Sequence, residues 1–301
     1  MIGGIIDWPY ETVSEKKGAF MRNAKQHPIT YILLIYLICF LFRVIEYLFI
    51  RTDQSIIGEA FIHKLIGIGL LALVVRQLQY GWRDIGFRTA QKTRGICFGL
   101  LFGSAVYAVA YGAEIIMQIS AGNAPALRFY VTSYSIQGNQ VMQDGATFIL
   151  ICMLGNIINV VMEEGIFRGL FVRLAEEKYS FAIACIFSSM LFGFWHIAQP
   201  VRNVLDGVQS LSGAFMMGLM LVATSALGGI QYVMLSKITG ALWVGMAAHF
   251  VNNAIINLLH VVTATGSDEM QTIRIAIAQT LSFIIVFVLF LFHCNRSKQP
   301  Q

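Results

Sequence analysis

The chain has 301 residues, of which 57% are hydrophobic and 12% are charged. Soluble domains have about 45–50% apolar and about 25% charged residues, so this composition excludes a soluble enzyme or nucleic-acid-binding module and predicts a membrane protein. The net charge of +5 has to be interpreted together with the distribution of cations between the two sides of the membrane.

Apolar stretches long enough for about eight membrane-spanning helices follow one another along the chain. They cover residues 29–50, 56–75, 95–119, 146–169, 181–197, 214–235, 241–259 and 272–292. We therefore predict an all-α polytopic membrane protein, a bundle of about eight transmembrane helices with an intramembrane polar cavity. The bundle forms one domain over residues 28–293, between a cytoplasmic segment of residues 1–27 and a cytoplasmic tail of residues 294–301.

The distribution of lysine and arginine predicts the orientation. With a cytoplasmic N-terminus, most of the 21 lysines and arginines lie on inner segments, and the outer segments hold Arg51, Arg128, Arg202 and Arg274. Inner loops of membrane proteins are enriched in cations, so we expect both termini in the cytoplasm of a prokaryote and a multi-pass protein in its plasma membrane. The net charge then records topology and does not indicate nucleic acid as a partner.

Ionisable residues inside spans are costly unless they are paired or hydrated, so each is a candidate for function. One group surrounds the turn between the first two predicted spans and comprises Arg43, Glu46, Glu59, His63 and Lys64. Folding this hairpin brings Arg43 level with His63. It also brings Glu46 level with Glu59, so acids and bases can meet across the two spans. We therefore interpret the group as a structural ion network. Glu114, alone near the outer end of the third span, is expected to reach the headgroup region.

A second group of polar residues is distributed over the fourth, fifth and seventh predicted spans and comprises Glu163, Glu164, Arg168, His196, His249 and Asn253. On a helix, Glu164 and Arg168 stand at i and i+4, where they can pair. Glu163 is rotated by about 100° from Glu164 and is therefore left to face another group.

Helix geometry indicates which group Glu163 faces. The fourth and fifth predicted spans join near Tyr179, which is almost equally distant along the chain from Glu163 and His196. Two helices that run side by side from this turn bring both side chains to the same depth. On the seventh span, His249 and Asn253 stand one turn apart and present two hydrogen-bonding side chains on one stripe.

These side chains have the chemistry for peptide-bond hydrolysis, which needs a base for water, donors for the oxyanion and a proton for the leaving amine. Glu163 can be the base, His196 can hold the same water, and no cofactor is required. His249 and Asn253 can form the oxyanion hole. Two alternatives remain open: a zinc site formed by Glu163, His196 and His249, and simple interhelical hydrogen bonding.

Three short motifs, taken together, resemble those of the CPBP family of CAAX proteases and bacteriocin-processing enzymes, which includes the Rce1-like intramembrane glutamic proteases. They are Glu-Glu-x-x-x-Arg from Glu163, Phe-x-x-x-His from Phe192 and His-x-x-x-Asn from His249. The resemblance covers about residues 146–259, and no motif position departs from the family pattern. The order of eight predicted spans is also typical of this family.

The resemblance implies an intramembrane endopeptidase that cuts a peptide or lipidated protein in the bilayer. In that family, the first glutamate and middle histidine activate water, the last histidine and asparagine stabilise the oxyanion, and the second glutamate and arginine support them. Carried over, these are Glu163, His196, His249, Asn253, Glu164 and Arg168. The competing hypothesis is a non-catalytic immunity or scaffold protein that binds a peptide partner through the same cavity.

Overall fold

A computed structural model describes residues 13–55, 59–132 and 144–296, with side chains described from residue 18. The first three residues of the second predicted span, 56–58, lie outside the described residues, as do residues 1–12 of the predicted N-terminal segment and residues 297–301 of the predicted tail, which include Lys298. The helices are α1 (Val13–Gln26), α2 (Pro28–Ile45), α3 (Ile62–Gln77), α4 (Lys92–Ser120), α5 (Ala146–Glu163), α6 (Val172–Ala175), α7 (Phe181–Phe194), α8 (Ala198–Leu205), α9 (Leu211–Thr239), α10 (Trp243–Leu258) and α11 (Gln271–Arg296).

Two helices contain wider, π-helical turns. Residues Glu46–Ile50 extend α2, and residues Glu164–Phe171 join α5 to α6 in one continuous segment. Short 3₁₀ turns occupy Thr52–Gln54, Thr89–Gln91 and Trp195–Ile197, the last of which joins α7 to α8. Over the described residues, each apolar stretch of the sequence overlaps a helix of the structure.

Six helical segments of the described chain are long and apolar enough to cross a membrane: Pro28–Gln54, Thr89–Ser120, Ala146–Ala175, Phe181–Leu205, Leu211–Thr239 and Gln271–Arg296. The prediction of an all-α polytopic membrane fold is confirmed. The two remaining predicted spans, α3 and α10, have 16 residues each. At 1.5 Å per residue each is about 24 Å long, which is shorter than a hydrocarbon core of about 30 Å.

Helix α10 packs closely against α4 because glycines recur every fourth residue on the facing side of α4. A Cβ atom on Gly95 would lie 2.8 Å from Trp243 Cβ, and one on Gly103 would lie 2.9 Å from Val251 Cβ. Small residues at this spacing let membrane helices approach each other directly. The contact fixes α10, which carries His249 and Asn253, against the long helix α4.

A short antiparallel strand pair was not predicted from the sequence. Strand β1 (Ala126–Phe129) pairs with β2 (Leu259–Val262), so that Ala126 faces Val262. Strand β2 follows α10 directly, and the N–H of Tyr130 donates to the carbonyl of Leu258 at 3.1 Å. The loop between α4 and α5 is thereby attached to the end of α10, one turn beyond Asn253.

The ion network predicted between the first two spans forms in part. Arg43 Nη1 lies 3.2 Å from His63 Nε2, and His63 Nδ1 lies 2.6 Å from Glu46 Oε2, all three side chains being buried. Glu46 and Glu59 have separate partners. The Glu46 carboxylate accepts hydrogen bonds from the first N–H groups of α3, and Glu59 pairs with Lys64.

The expectation that Glu114 reaches the headgroups is wrong. Glu114 is fully buried and forms an ion pair with Arg274, which the sequence analysis assigned to an outer segment. Arg274 lies in the first turn of α11 and also binds Asp268 through Nη1 at 3.1 Å. Packing of α11 against α4 brings the two charges together, and pairing offsets part of the cost of burying each of them.

Candidate active site

The Glu-Glu-x-x-x-Arg motif lies where α5 becomes π-helical. Glu163 is the last residue of α5, and all eight residues of Glu164–Phe171 are buried. Two glycines allow this segment to pack without a gap: a Cβ on Gly165 would lie 2.6 Å from Leu71, and one on Gly169 would lie 2.7 Å from the Ile85 carbonyl. Single π-helical turns inside α-helices often occur at functional sites.

The carboxylate of Glu163 is held on both of its oxygens. Asn159 Nδ2 donates to Oε2 at 3.2 Å, and Trp195 Nε1 donates to Oε1 at 3.1 Å. Glu163 is 3% exposed and Trp195 is fully buried, so this geometry is shielded from lipid and water. Sequence reasoning missed both partners, although Asn159 stands four residues before Glu163 and Trp195 directly precedes His196.

Glu164 connects Arg168 to His249. Arg168 Nε lies 3.4 Å from Glu164 Oε1, one turn along the helix, and His249 Nδ1 lies 2.8 Å from the same oxygen. The guanidinium of Arg168 also packs over the ring of Phe192, with 3.7 Å between its carbon and the ring centroid. Arg168 thus contacts the helix that carries His196.

The contacts of His249 determine which ring nitrogen faces the site. Because the Glu164 carboxylate can only accept, Nδ1 is the donor in that hydrogen bond. The other nitrogen, Nε2, lies 3.7 Å from Glu163 Oε2. Nε2 can therefore donate a hydrogen bond only when His249 is an imidazolium, which carries a proton on both nitrogens.

His196 has the opposite arrangement. Its Nδ1 lies 2.9 Å from the carbonyl oxygen of Phe192, which can only accept, so Nδ1 carries the proton in the neutral ring. The Phe-x-x-x-His spacing provides this contact, because it spans one helical turn. The lone pair of Nε2 in neutral His196 is then the remaining acceptor.

A relay of hydrogen bonds orients Asn253. The hydroxyl of Tyr107 donates to Asn252 Oδ1 at 2.8 Å, and Asn252 Nδ2 donates to Asn253 Oδ1 at 3.0 Å. The amide oxygen of Asn253 is thereby used as an acceptor, which leaves Nδ2 as the donor end of its side chain. Neither Tyr107 nor Asn252 was predicted as a site residue, although Asn252 is adjacent to Asn253.

A cavity of about 380 Å³ opens on these groups and is lined from α4, α7, α9, α10 and α11. His196, His249, Asn252 and Asn253 all line it. Glu163 lies beside it, within 3.7 Å of the His249 ring. The predicted polar cavity between the helices is therefore present, and the six site residues surround it or support those that do.

The alternative of a zinc site concerns Glu163, His196 and His249 beside this cavity. Over residues 13–55, 59–132 and 144–296, no group of three or more histidine, cysteine, aspartate and glutamate side chains is arranged to hold a metal ion. Whether zinc takes part in the reaction is decided by chelation of the purified protein.

Comparison with protein families identifies part of the chain. Residues 145–255 match the family described as Type II CAAX prenyl endopeptidase Rce1-like. This region is an Rce1-like domain of the CPBP family. No curated protein and no solved structure matches the chain. The Rce1-like domain contains all seven motif residues, and the resemblance inferred from the motifs is confirmed. At family level, this match supports a CAAX-protease-like intramembrane endopeptidase.

Proposed function

We propose that the Rce1-like domain hydrolyses a peptide bond in a membrane-associated or lipidated protein, with Glu163 and His196 activating water. The observation that supports this most is the Glu163 carboxylate, which is buried, held on both oxygens and 3.7 Å from His249 beside a cavity. Such a carboxylate is an oriented base in a site that excludes bulk water.

The proposed reaction needs no covalent intermediate. Glu163 takes one proton from water, while Nε2 of neutral His196 accepts a hydrogen bond from the other O–H group of the same water. The resulting hydroxide attacks the carbonyl carbon, and the carbonyl oxygen becomes an oxyanion. Protonated Glu163 then gives its proton to the amide nitrogen as the carbon–nitrogen bond breaks, which yields a carboxylic acid and an amine and leaves Glu163 ionised again. The carboxylic acid then gives its proton to the amine, so the products are a carboxylate and an ammonium group.

Two donors stabilise the oxyanion in this proposal. Asn253 donates through Nδ2, since the relay from Tyr107 uses its amide oxygen as an acceptor. His249 donates through Nε2 in its imidazolium form, while Nδ1 stays bonded to Glu164. Donors that are fixed before the reaction cost no reorganisation when the charge develops.

Cleavage by the purified chain in lipid discs tests the proposal. We expect turnover of a quenched, C-terminally lipidated peptide that persists after treatment with EDTA or phenanthroline. Loss of turnover on chelation, with recovery on addition of zinc, would favour the alternative zinc site of Glu163, His196 and His249. Binding of the peptide without cleavage would favour the non-catalytic immunity or scaffold role.

The relay to Asn253 yields a separate prediction. Tyr107→Phe removes the hydroxyl that orients Asn252, and we expect kcat to fall about 5–10-fold with little change in KM, since one hydrogen bond is worth about 1 kcal/mol. Asn253→Ala should cost about 10²-fold or more. Adding Tyr107→Phe to Asn253→Ala should then have no further effect, whereas a multiplied loss would show that Tyr107 acts elsewhere.

A further inference from the structure

A second cavity lies at the end of the bundle where α9 ends and α10 begins. It has a volume of about 300 Å³ and is lined by the α3–α4 loop, the π-helical segment with α6, and residues 233–242. None of its lining residues contributes to the larger cavity around His249. We call it the basic pocket, after its five cationic lining residues Arg83, Arg88, Arg168, Arg173 and Lys237.

The acidic residues of the basic pocket do not balance these cations. Its two acids are Asp84 and Glu176. Glu176 pairs with Lys237 at 3.1 Å, and Asp84 accepts a hydrogen bond from the N–H of Gly81 at 2.7 Å. Arg173 pairs with Glu177 at 3.0 Å, and Arg168 pairs with Glu164 at 3.4 Å. Among the described residues, Arg83 and Arg88 form no ion pair, so the surplus of positive charge in the pocket comes from these two arginines.

Arg88 forms part of the wall of the pocket. A Cβ atom on Gly240 would lie 3.5 Å from Arg88 Nη1, so the Arg88 guanidinium is folded over the turn between α9 and α10. Gly240 has a φ of +69°, which allows this turn to begin α10 at the edge of the pocket. Anions are favoured near the N-terminus of a helix.

Arg168 is the buried cation among the lining residues of the basic pocket. It is 4% exposed, and none of its three guanidinium nitrogens has a hydrogen-bond acceptor among the described residues. Its contact with Glu164 is 3.4 Å long and does not have hydrogen-bond geometry. Because these nitrogens are enclosed, an anion in the pocket would feel the Arg168 charge, partly offset by Glu164, and would take its hydrogen bonds from the exposed Arg83 and Arg88.

We propose that the basic pocket binds the phosphate group of an anionic phospholipid from the surrounding leaflet. The pocket lies between helix ends at the cation-rich end of the bundle, and basic pockets between membrane helices on the cytoplasmic side bind anionic headgroups. Arginine binds phosphate through two parallel N–H groups, which suits Arg83 and Arg88 at the mouth. This proposal does not depend on hydrolysis.

The test measures thermal unfolding of the full chain after delipidation in detergent. Short-chain phosphatidylglycerol should raise the unfolding temperature, and short-chain phosphatidylcholine should not. In Arg83→Gln/Arg88→Gln, half-saturation should require about 30-fold more phosphatidylglycerol, since each cation contributes about 5-fold. Both side chains are exposed, so the lipid-free unfolding temperature of this variant should match that of the wild type.

The matched control is Arg76→Gln/Arg94→Gln, which removes the same charge from exposed positions that flank the same loop but do not line the pocket. Equal weakening in both double variants would overturn the proposal, because it would indicate general attraction to charge. An unchanged response of Arg83→Gln/Arg88→Gln to phosphatidylglycerol would also overturn it. A further outcome is that inorganic phosphate at millimolar concentration also raises the unfolding temperature of the wild type but not that of Arg83→Gln/Arg88→Gln. That result would support recognition of phosphate and overturn the proposal that a lipid supplies it.

Discussion

Glu163→Gln is expected to lower turnover of the lipidated peptide by about 10²–10⁴-fold, the contribution of a positioned general base. Glutamine has the size and shape of glutamate but cannot take a proton from water. Its amide oxygen can still accept the hydrogen bond from Trp195, and the amide of Asn159 can rotate to accept from its nitrogen. The substitution therefore removes the basic function and keeps the packing.

The binding constant separates the two hypotheses about this site. If the site is catalytic, the lipidated peptide should bind Glu163→Gln about as well as the wild type, and only kcat should fall. If the site only binds a partner, the substitution should change neither the bound fraction nor the cellular phenotype. Full turnover by Glu163→Gln would contradict the assignment of Glu163 as the base.

An acid just beyond the end of the same helical segment provides the control. Glu177 lies just after α6 and accepts a hydrogen bond from Tyr80 at 2.8 Å, away from the cavity. Glu177→Gln should leave kcat unchanged, although it removes one carboxylate as Glu163→Gln does. A comparable loss in both variants would indicate that the activity responds to charge or stability and not to the base.

The positions of the helices and of the motif residues could be predicted because both depend on local sequence. Apolar length defines a span, and an i, i+4 spacing places Glu164 beside Arg168 in any helix. The proximity of Glu163 to the end of α7 also follows from counting residues to the turn near Tyr179. These relations involve one helix or two neighbouring helices.

Contacts between distant segments could not be predicted in this way. Tyr107 and Asn252 are 145 residues apart, and they meet because glycines on α4 let α10 pack directly against it. The π-helical segment likewise has no local signal in an apolar helix, since it depends on how Gly165 and Gly169 pack. The ring nitrogen through which His249 faces the site could not be predicted for the same reason, because its bond to Glu164 fixes which nitrogen faces Glu163.

The ion pair of Glu114 is another contact between distant segments that the sequence does not predict. Its partner Arg274 is 160 residues away, and each residue alone suggested a position near the membrane surface. The pair is fully buried, and Arg274 also reaches Asp268, which in turn lies 3.1 Å from His260 of β2. Four charged or polar groups therefore connect α4, α10 through β2, and α11.

Arg274→Met is accordingly expected to destabilise the chain by about 3–5 kcal/mol, the cost of leaving a buried partner charge uncompensated. Methionine keeps much of the side-chain volume and removes the charge, so Glu114 and Asp268 lose their shared cation. Unfolding in mixed detergent micelles measures the effect. Arg296→Met, on an exposed turn at the other end of α11, is the control and should change stability little.

The pH dependence distinguishes loss of charge pairing from loss of packing. Burial disfavours the charged form of Asp268, but hydrogen bonds from His260 and Arg274 outweigh this and lower the pKa of Asp268 below its ordinary value. A lowered pKa contributes stability above the unfolded-state pKa of about 3.9, and this stability is lost as the pH falls through the folded-state pKa. Without Arg274 the pKa of Asp268 should rise, so Arg274→Met should lose less further stability on acidification than the wild type. Adding Glu114→Gln should restore part of the stability at neutral pH, whereas a packing defect would not respond to either change.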